Sequence, residues 1–201
     1  MKRLISGLCL LFLSTGLGLA QKTTQVRVVG QDSFDAQFPS GGQIRMHIQS
    51  GDVRLVGSDE DTIKIRYSGK NASRAREVQV SLKTRGSVGE LQVHGGPRNE
   101  FQIEISIPRA SDLYLRMPAG DAEIDGLVGN KDVELHAGDL TVAVGRPEEY
   151  ALADASVHAG DLNTGPFGVY KGGLFRSFHQ QGAGSYRLHA HVGAGDLTLK
   201  P

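Results

Sequence analysis

Arg116-Met117-Pro118-Ala119-Gly120-Asp121-Ala122-Glu123-Ile124-Asp125 decides how the rest of the chain is read, because its centre recurs. Ala119-Gly120-Asp121, Ala137-Gly138-Asp139, Ala159-Gly160-Asp161 and Ala194-Gly195-Asp196 are four copies of one tripeptide, and Ser50-Gly51-Asp52 is a near relative upstream. Glycine supplies the positive φ that a tight corner asks of the backbone, and aspartate accepts hydrogen bonds from nearby amides. The five Gly-Asp pairs are therefore read as structural turns.

Around these corners the sequence alternates. Gln43-Ile-Arg-Met-His-Ile48, Thr62-Ile-Lys-Ile-Arg-Tyr67 and Phe101-Gln-Ile-Glu-Ile-Ser-Ile107 put apolar residues at every second place. Strict alternation over four to eight residues, rich in β-branched side chains, predicts half-buried strands. The one short helix candidate is Ala72-Ser-Arg-Ala-Arg-Glu77, so the chain is expected to be all-β. The steps from Gly120 to Gly138 and from Gly138 to Gly160 are similar in length, and the step from Gly160 to Gly195 is close to two such units. A unit of that size holds two short strands and two turns. This predicts a β-solenoid, a right-handed β-helix-like stack whose coils bury their apolar faces only by stacking. An antiparallel β-sandwich built from hairpins is the alternative. Within the long gap, Gly172-Gly-Leu-Phe-Arg-Ser-Phe178 is expected to replace the missing middle copy.

Phe101-Gln-Ile-Glu-Ile-Ser-Ile-Pro-Arg109, Asp112-Leu-Tyr-Leu115 and Ala119-Gly-Asp-Ala-Glu-Ile-Asp-Gly126 together resemble the DUF4097 family of adhesin-like bacterial envelope proteins. The resemblance covers roughly residues 40 to 200 and is strongest over 101–145. It implies a β-helix-like domain, export and no known catalytic residues.

The segment 1–20 reads as a cleavable signal peptide. Lys2 and Arg3 precede an apolar run to Leu19, and Gly18-Leu19-Ala20 offers small residues at a cleavage site after Ala20. The run is shorter than the roughly 20 residues a spanning helix needs. The expected mature chain, 21–201, is one domain, with longer strands over 21–110 and tighter repeats over 111–201. It is expected to be secreted or periplasmic, without a membrane span after cleavage. The sole cysteine, Cys9, lies in the signal, so the mature chain holds no disulfide and no thiolate site. Without Lys2 and Arg3 it has 20 Lys+Arg against 22 Asp+Glu, a formal charge of −2 with no basic run to suit nucleic acid.

Three constellations bear on function. Stacked corners would align Asp121, Asp139, Asp161 and Asp196 in a column, yet one carboxylate per unit is too few for calcium, which takes six or more oxygens. His136 and His158 precede Ala-Gly-Asp, and His189-x-His191 places two imidazoles on one strand face. Zinc would suit such a set, but no carboxylate sits at a fixed spacing to complete it, and the reading is of solvated strand histidines. Phe167, Tyr170, Phe175, Arg176 and Phe178 form an aromatic insert, read as a cap over an open end or as an interaction surface.

No nucleophile elbow, H-E-x-x-H or P-loop occurs, and no cofactor is expected. The expectation is a non-enzymatic, exported, envelope-associated adhesin-like module with an unidentified protein or glycan partner. A divalent-metal-binding or metal-stabilised repeat protein is the alternative, and a small carbohydrate-active enzyme a weaker third.

Overall fold

The computed structural model describes residues 23–97 and 99–201. The expected signal peptide and its cleavage point lie outside the described residues. β1 (Thr23–Val29) and β2 (Ser33–Gln37) lead to β3 (Gln43–Ile48), which turns at Gly51-Asp52 into β4 (Gly51–Ser58). β5 (Thr62–Ser68), a 3-10 helix over Ala72–Glu77, β6 (Val78–Arg85), β7 (Val88–Gly95) and β8 (Gln102–Pro108) follow. β9 (Asp112–Met117) turns into β10 (Gly120–Asp125), and β11 (Lys131–Ala137) into β12 (Leu140–Ala143). The long β13 (Tyr150–Thr164) carries its own Gly-Asp corner at its middle. It is followed by β14 (Val169–Gln181), β15 (Tyr186–Ala194) and β16 (Leu197–Lys200). Among the described residues, no helix is long and apolar enough to cross a membrane.

The protein is nearly all-β. Fifteen strands form one continuous, nearly closed barrel-like sheet in the order β1-β6-β7-β3-β9-β11-β15-β13-β16-β12-β10-β4-β8-β5-β2, and β14 pairs with β13 off this path. Every pair that joins one corner-bearing unit to the next is parallel. On one side run β3, β9, β11, β15 and the first half of β13. On the other run β4, β10, β12, β16 and the second half of β13. The antiparallel pairs lie at the ends, where β6 and β1 follow β7, β5 and β2 follow β8, and β14 follows β13.

Two expectations need correction. Neighbours in space are not neighbours in sequence, so a stack wound coil upon coil in chain order does not describe the molecule. The β7–β8 unit lies outside β3–β4, and β15–β16 inserts between β11–β12 and β13. Nor is Gly172–Phe178 a replaced middle copy. It belongs to β14, an antiparallel strand along the outer edge of β13, and this return strand is why the last repeat spacing is long.

Alternation is what makes the two sides share a core. Ile48, Met117, Leu135, Val192 and Val157 occupy one inward row, in register from strand to strand, and Val53, Ala122, Leu140, Leu197 and Leu162 another. All ten are buried, and each large aliphatic member contributes roughly 1.5–3 kcal/mol by leaving water. Among the described residues, one charged side chain breaks the pattern. Lys131 stands in an inward row between Leu113 and Leu188 and is 2% exposed.

Candidate functional site

The corners are built by one hydrogen-bond device repeated. Gly51, Gly120, Gly138, Gly160 and Gly195 have φ between 112° and 139°. Asp121 Oδ1 accepts the Asp139 N–H at 2.9 Å, Asp139 Oδ1 accepts that of Asp196 at 2.9 Å, and Asp196 Oδ1 accepts that of Asp161 at 2.8 Å. The ladder ends where Tyr170 donates its hydroxyl to Asp161 Oδ2 at 2.9 Å, a contact that raises the Tyr170 pKa. Asp52 lies in register with Asp121 at the other end, where a shallow hollow opens between Gln49–Asp52 and Pro118–Asp121. Three carboxylates of the ladder, those of Asp121, Asp139 and Asp196, thus serve the backbone of the adjacent unit.

A different arrangement covers the outer face of the same strands. Because β15 sits between β11 and β13, parallel register sets Asp132 beside His189 and His189 beside Asp154. Glu134 lies beside His191, and His191 beside Ser156. β14 adds His179 opposite Asp154. His136 and His158 occupy the next outward places on β11 and β13, with Gly193 between them on β15. The result is a lattice of five histidines and three carboxylates over four strands.

Its contacts are specific. Arg116 on β9 donates from Nη2 to Asp132 Oδ1 at 2.8 Å, and its Nε lies 3.0 Å from Glu134 Oε2. Its guanidinium lies 3.6 Å above the Tyr114 ring, and its Nη1 donates to the Leu115 and Asp132 carbonyls. Asp154 pairs with His179. The His191 Nδ1 and Ser156 Oγ share a hydrogen bond at 2.8 Å, and the His191 ring packs edge-on to His158 with centroids 4.7 Å apart. Partial burial, then the proximity of His158, holds the His191 imidazole below the usual histidine range, with Glu134 pulling the other way. One ligand atom each from Asp132, Glu134 and His189 lies within 4.8 Å of the others.

The histidines named from the sequence therefore come together, and the carboxylates that local spacing does not supply stand on a neighbouring strand. Asp132 and Glu134 reach His189 and His191 from a distant part of the chain, a juxtaposition fixed by the order of units and invisible in local spacing.

The aromatic insert divides in two. Phe178 is buried and packs on Phe167 at 5.1 Å between centroids, closing the β13 end of the core. Tyr170, Leu174 and Phe175 point outward at 65%, 64% and 78% exposure. Phe175 has φ of 52° and its ring lies 5.7 Å from His158. Arg176 Nε donates to the Gly172 carbonyl at 2.6 Å, and Lys171 Nζ to that of Ser177 at 2.7 Å, so two cationic side chains cover carbonyls of their own strand.

No protein-family description matches the chain, and no curated protein matches it. Two solved structures align with much of the chain. A candidate cell adhesion protein of Clostridium sporogenes is 14% identical with a TM-score of 0.48, over 84% of this chain and 98% of that one. A candidate adhesin of Bacteroides fragilis is 11% identical with a TM-score of 0.36, over 91% of this chain and 100% of that one. Both carry adhesion in their names, and the narrower DUF4097 assignment has no family match beside it.

Proposed function

We propose that the chain is a non-enzymatic, exported, envelope-associated adhesin-like module that takes an extended segment of a partner protein against the edge of β14. The observation that carries this reading is the exposed trio Tyr170, Leu174 and Phe175 on a 13-residue strand with one unpaired side. A long apolar edge is ordinarily a liability that proteins shorten, bend or charge. Here Lys171, Arg176 and the positive φ of Phe175 guard the edge, yet its large side chains stay in water. Aromatic residues beside an arginine are typical anchors of a protein interface, and an added strand supplies main-chain hydrogen bonds. β14 carries Lys171, Arg176 and His179 and no carboxylate, so the fitting partner is apolar with acidic residues.

Export rests on the signal-peptide pattern of segment 1–20. The parallel units with one shared corner are read as a solenoid-like stack with a shuffled unit order, and such stacks offer long side surfaces to partners. The test is selection of binding peptides from a random displayed library on the mature chain, 21–201. Acidic, apolar peptides are expected, and Phe175→Glu with Leu174→Glu should weaken them by roughly tenfold or more. Peptides that bind the double variant equally well, or a glycan screen that finds the only ligand, overturn the reading.

A further inference from the structure

We propose that Asp132, Glu134 and His189 form a binding site for a divalent first-row transition metal, of which Zn2+ is the representative probe. The inference is independent of partner binding at β14.

Three features beyond proximity support it. The first is how the carboxylates are held. Arg116 engages Asp132 through Oδ1 and Glu134 through Oε2, and is itself fixed by Tyr114 and two carbonyls. Asp132 Oδ2 and Glu134 Oε1 have no hydrogen-bond partner among the described residues. One oxygen of each carboxylate is thus oriented and the other is available, the arrangement by which outer-shell groups prepare metal ligands. The guanidinium and two carboxylates still leave a net charge of −1 facing a dication.

The second feature is which neighbours are already occupied. Asp154 flanks His189 on its other side, but it is paired with His179. His191 is tied through Nδ1 to Ser156. His189 is exposed and makes no such contact among the described residues, so Asp132 and Glu134 are its open partners.

The third feature is the donor set. Two carboxylate oxygens with one imidazole nitrogen suit zinc and its first-row neighbours, whereas calcium and magnesium prefer oxygen alone. Three protein ligands leave a fourth tetrahedral position to water, which an outward strand face provides. At metal–ligand bonds of about 2.0–2.2 Å, tetrahedral ligand atoms lie about 3.4 Å apart. The trio's ligand atoms, within 4.8 Å of one another, need approach by no more than about 1.4 Å to reach that spacing.

Calorimetric titration of the mature chain with ZnCl2, with CaCl2 as the contrasting cation, tests the site. One equivalent of Zn2+ is expected to bind and CaCl2 to give no heat, with X-ray absorption showing a mixed nitrogen and oxygen shell. His189→Ala and Glu134→Gln should each weaken Zn2+ binding by roughly tenfold or more while melting as the parent does without metal. No binding at about 100 µM Zn2+ overturns the proposal. So does undiminished affinity in both variants, or loss of binding on His158→Ala with His189→Ala unaffected, which would move the metal to the imidazoles around Gly193.

Discussion

Glu134 and Asp139 stand close together on one unit, yet their carboxylates do opposite kinds of work. At the corners the same residue recurs from unit to unit, and Asp121, Asp139 and Asp196 each take the backbone N–H of the next aspartate. On the lattice, the residue changes from strand to strand, from Asp132 to His189 to Asp154 to His179, and the carboxylates meet side chains. The sheet already pairs the N–H and C=O groups of β11, β15 and β13, so the backbone asks nothing of these outward side chains. A polar residue that repeats with the fold is explained by the fold. One that does not repeat, on a face whose backbone is already satisfied, is a candidate for function.

The largest effect that tests this contrast is at Gly138. A Cβ there would lie 2.0 Å from the Gly120 carbonyl oxygen, at a φ of 126°. Gly138→Val should therefore cost about 3–5 kcal/mol, from backbone strain added to the clash, and lower Tm by about 10 °C. Gly145 also has positive φ, 65°, but a Cβ there would meet nothing within 4 Å. Gly145→Ala should cost only about 1 kcal/mol. Thermal unfolding of the two variants separates conformational strain from close approach between units. Equal losses would mean that stacking of the corners does not restrict the position.

The next effect lies inside the core, where Lys131 is the charged residue of an inward row. Its Nζ donates to the Tyr150 hydroxyl at 2.8 Å, and that hydroxyl donates to the Val144 carbonyl at 3.1 Å. Burial pushes the Lys131 pKa down to about 8, against the opposing pull of Glu149 and Asp112. The unfolded chain therefore binds the extra proton more tightly, and stability should rise as pH increases from about 8 towards 10. Burial also pushes Tyr67 and Tyr150 up to about 12. Their contribution is fully present below the unfolded tyrosine pKa of about 10 and is lost as pH rises from there to about 12. The stability curve should thus climb and then turn over near pH 10. Lys131→Met should abolish the climb and add about 1–3 kcal/mol at pH 7. Denaturant unfolding across pH 7 to 11 measures both. A climb that persists in the variant would assign it to another group.

Much of the fold was legible because alternation and turn chemistry are local. Phe101–Ile107 reads directly as β8, and the glycine spacing marks each corner. The order of units was not legible, since any strand of suitable parity pairs with any other and the choice depends on the path of the whole chain. That order alone brings His189 to Asp132, so the histidines were visible and their carboxylate partners were not. Lys131 escapes notice for a narrower reason. The alternation is plain from Asp132 onward, and only its extension by one residue gives Lys131 the inward parity of Val133 and Leu135. β14 escapes because nearly all its residues are exposed on both faces, so no buried face imposes alternation.

The smallest effect bears on whether the corner aspartates are wanted for charge or for geometry. Asp139→Ala removes the acceptor of the Asp196 N–H and should cost about 1 kcal/mol. Asp139→Asn keeps an acceptor oxygen and removes one charge from a column of aspartates spaced about 4.8 Å apart. Like charges at that distance repel, and salt screens them. Asn should therefore be neutral or slightly stabilising at low ionic strength, with any gain fading as salt is added. Melting curves of both variants at low and high salt decide the matter. If Asn proves as costly as Ala, the charge itself is needed, which would make the column an ion site and erase the contrast with the lattice. If only Ala is costly, the corner aspartates are acceptors for the backbone, and the outward lattice is where ion chemistry belongs.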